Sequence, residues 1–196
     1  MYLNKQYYLD FLCQKEITWS GIDFSQATFT KDGFDLQYDL LQYYFSEWNK
    51  FIITDQKKYN LRISFRKPII QYDLSTVKKC NQIPKNKLSL KKFINIDNTF
   101  DDLFIEKYIK NLTFPKNTKY NIYFIVESLD SILKNAAIWV TIIKTDSNEI
   151  VLSEKFLEKP AGLSTKTYWA RVFYNIIYKI KDDAYPRWEN YVKENN

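Results

Sequence analysis

Four carboxylates lie in or beside predicted strands and have the clearest potential for chemistry. They are Asp23, Asp73, Glu127 and Asp130. Paired carboxylates can act as general acid and base in hydrolysis, and clustered ones can bind a divalent cation. Because their spacing matches no motif for either use, we expect solvent-exposed or capping roles for all four, with Asp23 on a solvated strand face. A carboxylate- or metal-dependent hydrolase stays open as an alternative function.

The chain contains no histidine, so every mechanism that uses imidazole as a base is excluded, together with the commonest zinc ligand. Cys13 and Cys80 are too few and too far apart for a disulfide scaffold or a metal site made of cysteines. Lys78 and Lys79 precede Cys80 and would lower the pKa of its thiol, but no base lies nearby in the sequence. We therefore predict no catalytic and no metal-binding residues.

Glycine occurs at only three positions, which leaves no glycine-rich loop that could hold a phosphate group. Dinucleotide-binding and P-loop folds are excluded on this ground, and we predict no cofactor. The net charge of +6 comes mostly from lysine, which binds phosphate less specifically than arginine does. A solvated basic surface is the simplest interpretation of this charge.

Basic residues still mark a candidate binding surface. Its members are Lys78, Lys79, Lys85, Lys87, Lys91 and Lys92, together with Arg62 and Arg66. The lysines lie in or near a loop-like stretch from Asn81 to Asn98, and the arginines are four residues apart, so they could hold an anion if that segment is helical. An ion pair with a carboxylate is the more frequent use of such arginines.

The first half of the chain predicts a strand followed by an amphipathic helix. The strand lies within Ile17–Thr30, and Gly21 permits a bulge in it. Asp35 is a plausible helix cap, and the helix after it carries one apolar stripe: Leu36, Leu40, Leu41, Tyr44, Phe45, Trp48 and Ile52. A second strand at Ile69–Tyr72 leads to a short helix ending at Cys80.

The second half predicts a helix, three strands and a final helix. Thr99 and Asp102 resemble a capping box that opens the first of these helices. Strands are predicted at Tyr120–Glu127 and Ala136–Thr145, and Ile150–Ser153 forms a hairpin with the second of them. The last helix carries the apolar residues Trp169, Val172, Phe173, Ile176, Ile177 and Ile180, and Pro186 should end or kink it.

Length and composition predict one mixed α/β domain over residues 1–196, with a single mixed sheet covered by helices near Leu36–Ile52 and Ser164–Lys181. Hydrophobic residues make up 45% of the chain and aromatic residues 18%, enough for an aromatic-rich core. No signal peptide and no stretch long enough to span a bilayer is visible. We expect a cytoplasmic protein, or a periplasmic one whose signal is absent from this sequence.

The C-terminal half resembles uncharacterised proteins of Bacteroidetes. The resemblance rests on the strand Asn121–Glu127, the hairpin from Trp139 to Leu152, Pro160-Ala-Gly162 and Tyr168-Trp169-Ala170. The order of these elements is also similar to small α/β domains of bacterial envelope accessory proteins, such as the N-terminal domain of TolB and the lipoprotein activators of penicillin-binding proteins. This resemblance implies a module that binds partners and does not catalyse.

The function we predict from the sequence is therefore a non-catalytic protein-binding or accessory module. Its partner would be another protein or a second copy of the chain, since tyrosine and tryptophan are enriched at interfaces. Nucleic-acid binding through the lysine-rich stretch is the first alternative.

Overall fold

The computed structural model describes residues 1–30, 38–94 and 100–194, without the side chains of residues 38–40. The strands are β1 (Tyr2–Leu3), β2 (Glu16–Asp23), β3 (Thr28–Thr30), β4 (Ile69–Tyr72), β5 (Ser89–Lys91), β6 (Tyr120–Asp130), β7 (Asn135–Lys144) and β8 (Glu149–Glu158). The α-helices are α1 (Lys5–Cys13), α2 (Tyr38–Thr54), α3 (Leu61–Ser64), α4 (Ser75–Cys80), α5 (Asp102–Lys110), α6 (Thr165–Lys179) and α7 (Tyr185–Glu194). A 3₁₀ turn covers Lys85–Lys87, and a π-helical turn, Ile180–Ala184, joins α6 to α7.

The strands of the described chain form one mixed sheet, in the order β1-β8-β7-β6-β2-β4. Strands β6, β7 and β8 pair antiparallel as a meander, while β2 runs parallel to both β4 and β6. Beyond the end of β2, β3 continues along the same edge of β6, and β5 pairs with β3 in parallel. The protein is therefore a mixed α/β fold, as the sequence predicts.

Two hydrophobic cores lie on opposite faces of this sheet. The main core packs α1, α2, α6 and α7 against one face, and its largest buried rings include Trp19, Trp48, Trp169, Trp188, Phe24, Phe45 and Phe173. The minor core packs α4 and α5 against the other face through Val77, Ile105 and Ile109, which meet Tyr123, Ile125 and Trp139 of the sheet. Side chains of β6 alternate between the two cores, as a strand buried on both faces requires.

A bulge interrupts β2 between Trp19 and Ile22, and Gly21 makes it possible. Gly21 has a φ of +103°, and an added Cβ would lie 2.5 Å from Val77 Cγ2 and 2.7 Å from Asn49 Oδ1. Only glycine accepts both this backbone conformation and this close approach without strain. The bulge therefore lets α2 and α4 converge on the end of β2.

Most of the predicted elements are confirmed, with two boundary corrections. The stretch from Asn81 was predicted as a loop, but it contains a 3₁₀ turn and the short strand β5. Its lysines suggested a loop, whereas pairing with β3 stabilises the strand. Helix α5 is capped by Asp101, whose carboxylate accepts a hydrogen bond from the backbone N–H of Phe104 at 2.7 Å. Asp35, Leu36 and Thr99 lie outside the described residues.

The final helix confirms the apolar stripe, but α6 ends at Lys179, before Pro186, so the proline is not where the helix ends. Ser164 caps α6 with a capping box, and Trp169, Phe173 and Ile176 are all buried in the main core. Pro186 lies in the first turn of α7, where a missing backbone N–H costs little, and the preceding π-helical turn separates the two helices.

Candidate functional site

A groove at the β1 edge of the sheet is the first candidate site. It lies between α5 and the start of β8 and has a volume of about 330 Å³. We call it the acidic groove, and its walls are formed by Tyr2, Asn4, Tyr7, Asp102, Leu103, Glu106, Lys110, Glu149, Ile150 and Ser153. Strand β1 pairs with β8 for only two residues, so the groove opens directly at the end of the sheet.

Three carboxylates and one lysine surround the acidic groove, in a chain whose net charge is +6. Glu106 pairs with Lys110 at 2.5 Å on the exposed surface of α5. Asp102, one helical turn before Glu106, has no ion pair among the described residues. Hydrogen bonds from Ser147 and, to a smaller extent, Tyr7 lower the pKa of Glu149. Lys144 lies 3.8 Å from Glu149, so Asp102 is the carboxylate of the groove that has no ion pair within the described residues.

Ser153 contributes to the acidic groove a hydroxyl that has no hydrogen-bond partner in the described chain. The next residue, Glu154, accepts a hydrogen bond from Trp188, so its side chain lies on the main-core face of the sheet. Because successive side chains of a strand point to opposite faces, Ser153 lies on the other face, beneath α5. Ser153 is fully buried, and its Oγ has no hydrogen-bond partner in the described part of the chain. A buried hydroxyl without a partner costs free energy, which a bound polar group would recover.

A second concave site, which we call the switch crevice, lies between α2 and α4. It has a volume of about 260 Å³ and is lined by Gln42, Phe45, Ser46, Asn49, Leu74, Val77, Lys78, Asn81 and Gln82. Two of these residues fix the β2 bulge: Asn49 and Asn81 each bond to the backbone of Ile22. The crevice therefore has a rigid base next to Gly21.

The structure separates the basic residues of the predicted binding surface into two groups. The six lysines are exposed on α4, the 3₁₀ turn, β5 and the residue after β5, and in the described residues none of them forms an ion pair. Arg66 lies at the other end of β4, where it pairs with Glu189 at 2.5 Å and stacks over Tyr185. Arg62 lies in α3, but Arg66 follows that helix with a φ of +48°, so the two arginines do not share a helical turn.

The four candidate carboxylates have separate structural roles. Asp73 accepts a hydrogen bond from the backbone N–H of Ser75, and Asp130 accepts two from the turn after β6. Glu127 has neither the solvent-exposed nor the capping role expected for it: it is buried, pairs with Lys155 at 2.7 Å and accepts a hydrogen bond from the indole of Trp139. Within the described ranges, no group of three or more acidic or cysteine side chains is placed to hold a metal ion.

The expectation that Asp23 faces solvent was wrong. Asp23 is fully buried, and its carboxylate accepts hydrogen bonds from the hydroxyls of Tyr108 and Tyr123 and from the backbone N–H of Ser25. These three donors take the place of water, as a buried carboxylate requires. Sequence patterning missed this because both tyrosines come from elements far along the chain.

Cys80 is not an activated thiol. Burial is the largest effect on it and raises its pKa, with a further increase from the charge of Asp23, contrary to the effect expected from Lys78 and Lys79. Both lysines are exposed, so water screens their charge. Cys13 and Cys80 are both free thiols.

None of the helices in residues 1–30, 38–94 and 100–194 has the length and apolar character needed to cross a membrane.

No protein-family model and no curated protein matches the chain. Among solved structures, the chain is similar to the LpoB C-terminal domain from Salmonella enterica, with 9% identity over 74% of this chain and 82% of that chain and a TM-score of 0.25. A TM-score this low does not establish a common fold, so membership of an envelope accessory family stays a prediction.

Proposed function

We propose that this protein is a non-catalytic protein-binding module whose acidic groove takes a basic side chain from a partner protein. The observation that supports this most directly is the fully buried Ser153 hydroxyl, without a hydrogen-bond partner in the described chain, among the walls of a groove that also carries three carboxylates.

Charge and shape indicate the class of partner. Lys110 and Lys144 pair with Glu106 and Glu149, whereas Asp102 has no ion pair among the described residues, so a cationic group is attracted to Asp102. Tyr2 is 42% exposed and offers an aromatic face beside the carboxylates. An arginine side chain combines a cation, donors in a planar fork and a surface that stacks on aromatic rings. Leu103 and Ile150 would contact its aliphatic part.

Fluorescence anisotropy with a defined peptide tests this proposal. The probe is a labelled nonapeptide with two arginines among glycine and serine, and the control peptide carries glutamine in place of both arginines. We expect binding of the arginine peptide alone, and we expect Asp102→Asn to weaken it about two- to fivefold, the range for a solvent-exposed charge pair. Asp183→Asn is the matched control, because Asp183 is 71% exposed and lies outside the groove.

Ser153→Ala separates a binding role from a structural one. Removing a buried hydroxyl that has no partner should leave the free energy of unfolding unchanged or slightly higher. The same substitution should weaken the arginine peptide if that hydroxyl accepts a hydrogen bond from the ligand. Equal binding of the arginine and glutamine peptides, or binding unaffected by both groove substitutions, would contradict the proposal.

Nucleic-acid binding is the second candidate function, and the exposed lysines favour it. Between Leu74 and Ile94 the chain has six lysines and no acidic residue, and Phe93 in this stretch is 65% exposed. Exposed cations beside an aromatic ring suit a single-stranded nucleic acid. Affinity for an oligonucleotide that falls steeply with rising salt would support this function, and no binding at low ionic strength would exclude it.

A further inference from the structure

Strands β2 and β4 are parallel neighbours, and the connections that follow them run to opposite faces of the sheet. The switch crevice lies at this point. After β2 the chain continues through β3 to α2, which packs in the main core, whereas after β4 it enters α4, whose Val77 packs in the minor core. Strands β2 and β4 pair in parallel, so both connections begin at the same end of the sheet. Crevices at such switch points are the usual ligand sites of open α/β sheets.

The polar groups of the switch crevice include several hydrogen-bond donors. The side-chain nitrogen Nε2 of Gln42 is buried and has no acceptor in the described part of the chain. Lys78 is exposed at the rim and forms no ion pair within the described residues. Ser46 and Gln82 supply further polar side chains, and the lining contains no carboxylate. A donor without an acceptor and an exposed cation that line one crevice match an anionic ligand.

The charge of the lining favours the same kind of ligand. Among the residues that line the crevice, Lys78 carries a positive charge and none carries a negative one, although the charge of Lys78 also lowers the pKa of nearby Asp73. Pockets for drug-sized molecules span roughly 300–1,000 Å³, and the volume here is about 260 Å³. The occupant is therefore a small molecule.

We propose that the switch crevice binds a small phosphorylated molecule, of the size of a sugar phosphate, through Gln42 and Lys78. The site is separate from the acidic groove and does not depend on a protein partner. Phosphate oxygens accept hydrogen bonds from the Gln42 amide, and the Lys78 ammonium neutralises part of the phosphate charge.

Isothermal titration calorimetry with ribose 5-phosphate on the full chain tests this proposal, with ribose as the uncharged control at matched ionic strength. We expect the phosphate to bind and ribose not to bind. Gln42→Glu replaces the donor with a carboxylate of similar shape, and Lys78→Gln removes the charge. Gln42→Glu should weaken binding about tenfold or more, the effect of losing one charge-assisted hydrogen bond, and Lys78→Gln, at an exposed position, about two- to fivefold.

Lys79→Gln is the matched control, since Lys79 is exposed on the same short helix but does not line the crevice. It should keep the affinity of the parent. Lys78 is exposed, so its replacement should leave the fold intact if Gln42→Glu proves unstable. No binding of ribose 5-phosphate, or equal binding by the parent and both crevice variants, would overturn the proposal. An oligonucleotide that binds where ribose 5-phosphate does not would also overturn it.

Discussion

Asn49 and Asn81 both donate a side-chain N–H to the same carbonyl oxygen, that of Ile22, at 2.9 Å each. Their side-chain oxygens accept from the neighbouring backbone: Asn49 from the N–H of Ile22 and Asn81 from the N–H of Phe24, both at 2.7 Å. Asn49 of α2 and Asn81, the residue that follows α4, thus supply hydrogen-bond partners to the backbone at the β2 bulge. The bulge is a fixed feature that positions the switch crevice.

Replacing Asn49 with alanine should lower the free energy of unfolding by about 2–3 kcal/mol, because it leaves the buried backbone N–H of Ile22 without its partner. Asn81→Ala should cost less, since Asn81 is only half-buried and makes two of these bonds, whereas Asn49 makes three. Chemical denaturation measures both, with exposed Asn86→Ala as the control. An Asn49→Ala protein as stable as the control would contradict this role.

A pH-dependent contribution to stability is expected from Lys67, which is 2% exposed and donates hydrogen bonds to the carbonyl oxygens of Phe11 and Leu12. Burial lowers the pKa of Lys67 from 10.5 to about 8. Between these values the unfolded chain binds more protons than the folded one, so stability rises with pH there. Below pH 8 both states are protonated, and this contribution is constant.

Lys67→Met removes this titration. We expect the stability of the parent, relative to Lys67→Met, to rise between pH 8 and 9.5 by on the order of 1–2 kcal/mol. Comparing the two proteins at each pH cancels the titration of groups that do not interact with Lys67, and both proteins carry Cys13→Ser because the charge of the Cys13 thiolate acts on Lys67. Denaturation curves across this range give the difference, and a difference that stays flat or falls with pH would refute a depressed pKa for Lys67.

The final helix is structural, and Phe173 is its central residue. Phe173 is 1% exposed and packs edge-on against Phe24, with ring centroids 6.0 Å apart. Phe173→Ala should cost roughly 3–5 kcal/mol, because it leaves a cavity in the main core. Tyr178→Ala, at a half-exposed position of the same helix, is the matched control and should change stability little. Thermal melts of the two variants that coincide would contradict this role.

Sequence patterning predicted the elements in which the apolar repeat extends over many residues. Strands β6, β7 and β8 and helices α2 and α6 carry enough periodic residues for their faces to be assigned. Burial of Asp23 could not be predicted, because Tyr108 and Tyr123 reach it only through the tertiary fold. Strand β5 was missed because three residues with a lysine carry almost no pattern. That the chain forms a single domain stays a prediction, which limited proteolysis would test.

The acidic groove could be predicted only in part. Asp102 and Glu106 are one turn apart in a predicted helix, so their common face is readable from the sequence. Ser153 contributes to the groove only because α5 covers β8, and these two elements are too far apart in the sequence for local patterns to predict their contact. Likewise, the switch crevice depends on which face each crossover takes, and local patterns do not specify this.

A charge exchange in the acidic groove tests the proposed function most directly. Asp102 and Glu106 are both exposed, so the double substitution Asp102→Lys with Glu106→Lys should preserve the fold while reversing the charge of the groove. We predict that this variant no longer binds the arginine nonapeptide and instead binds the same peptide with two glutamates, by fluorescence anisotropy under identical salt. A double variant that binds the arginine peptide as tightly as the parent does would show that the groove is not the binding site.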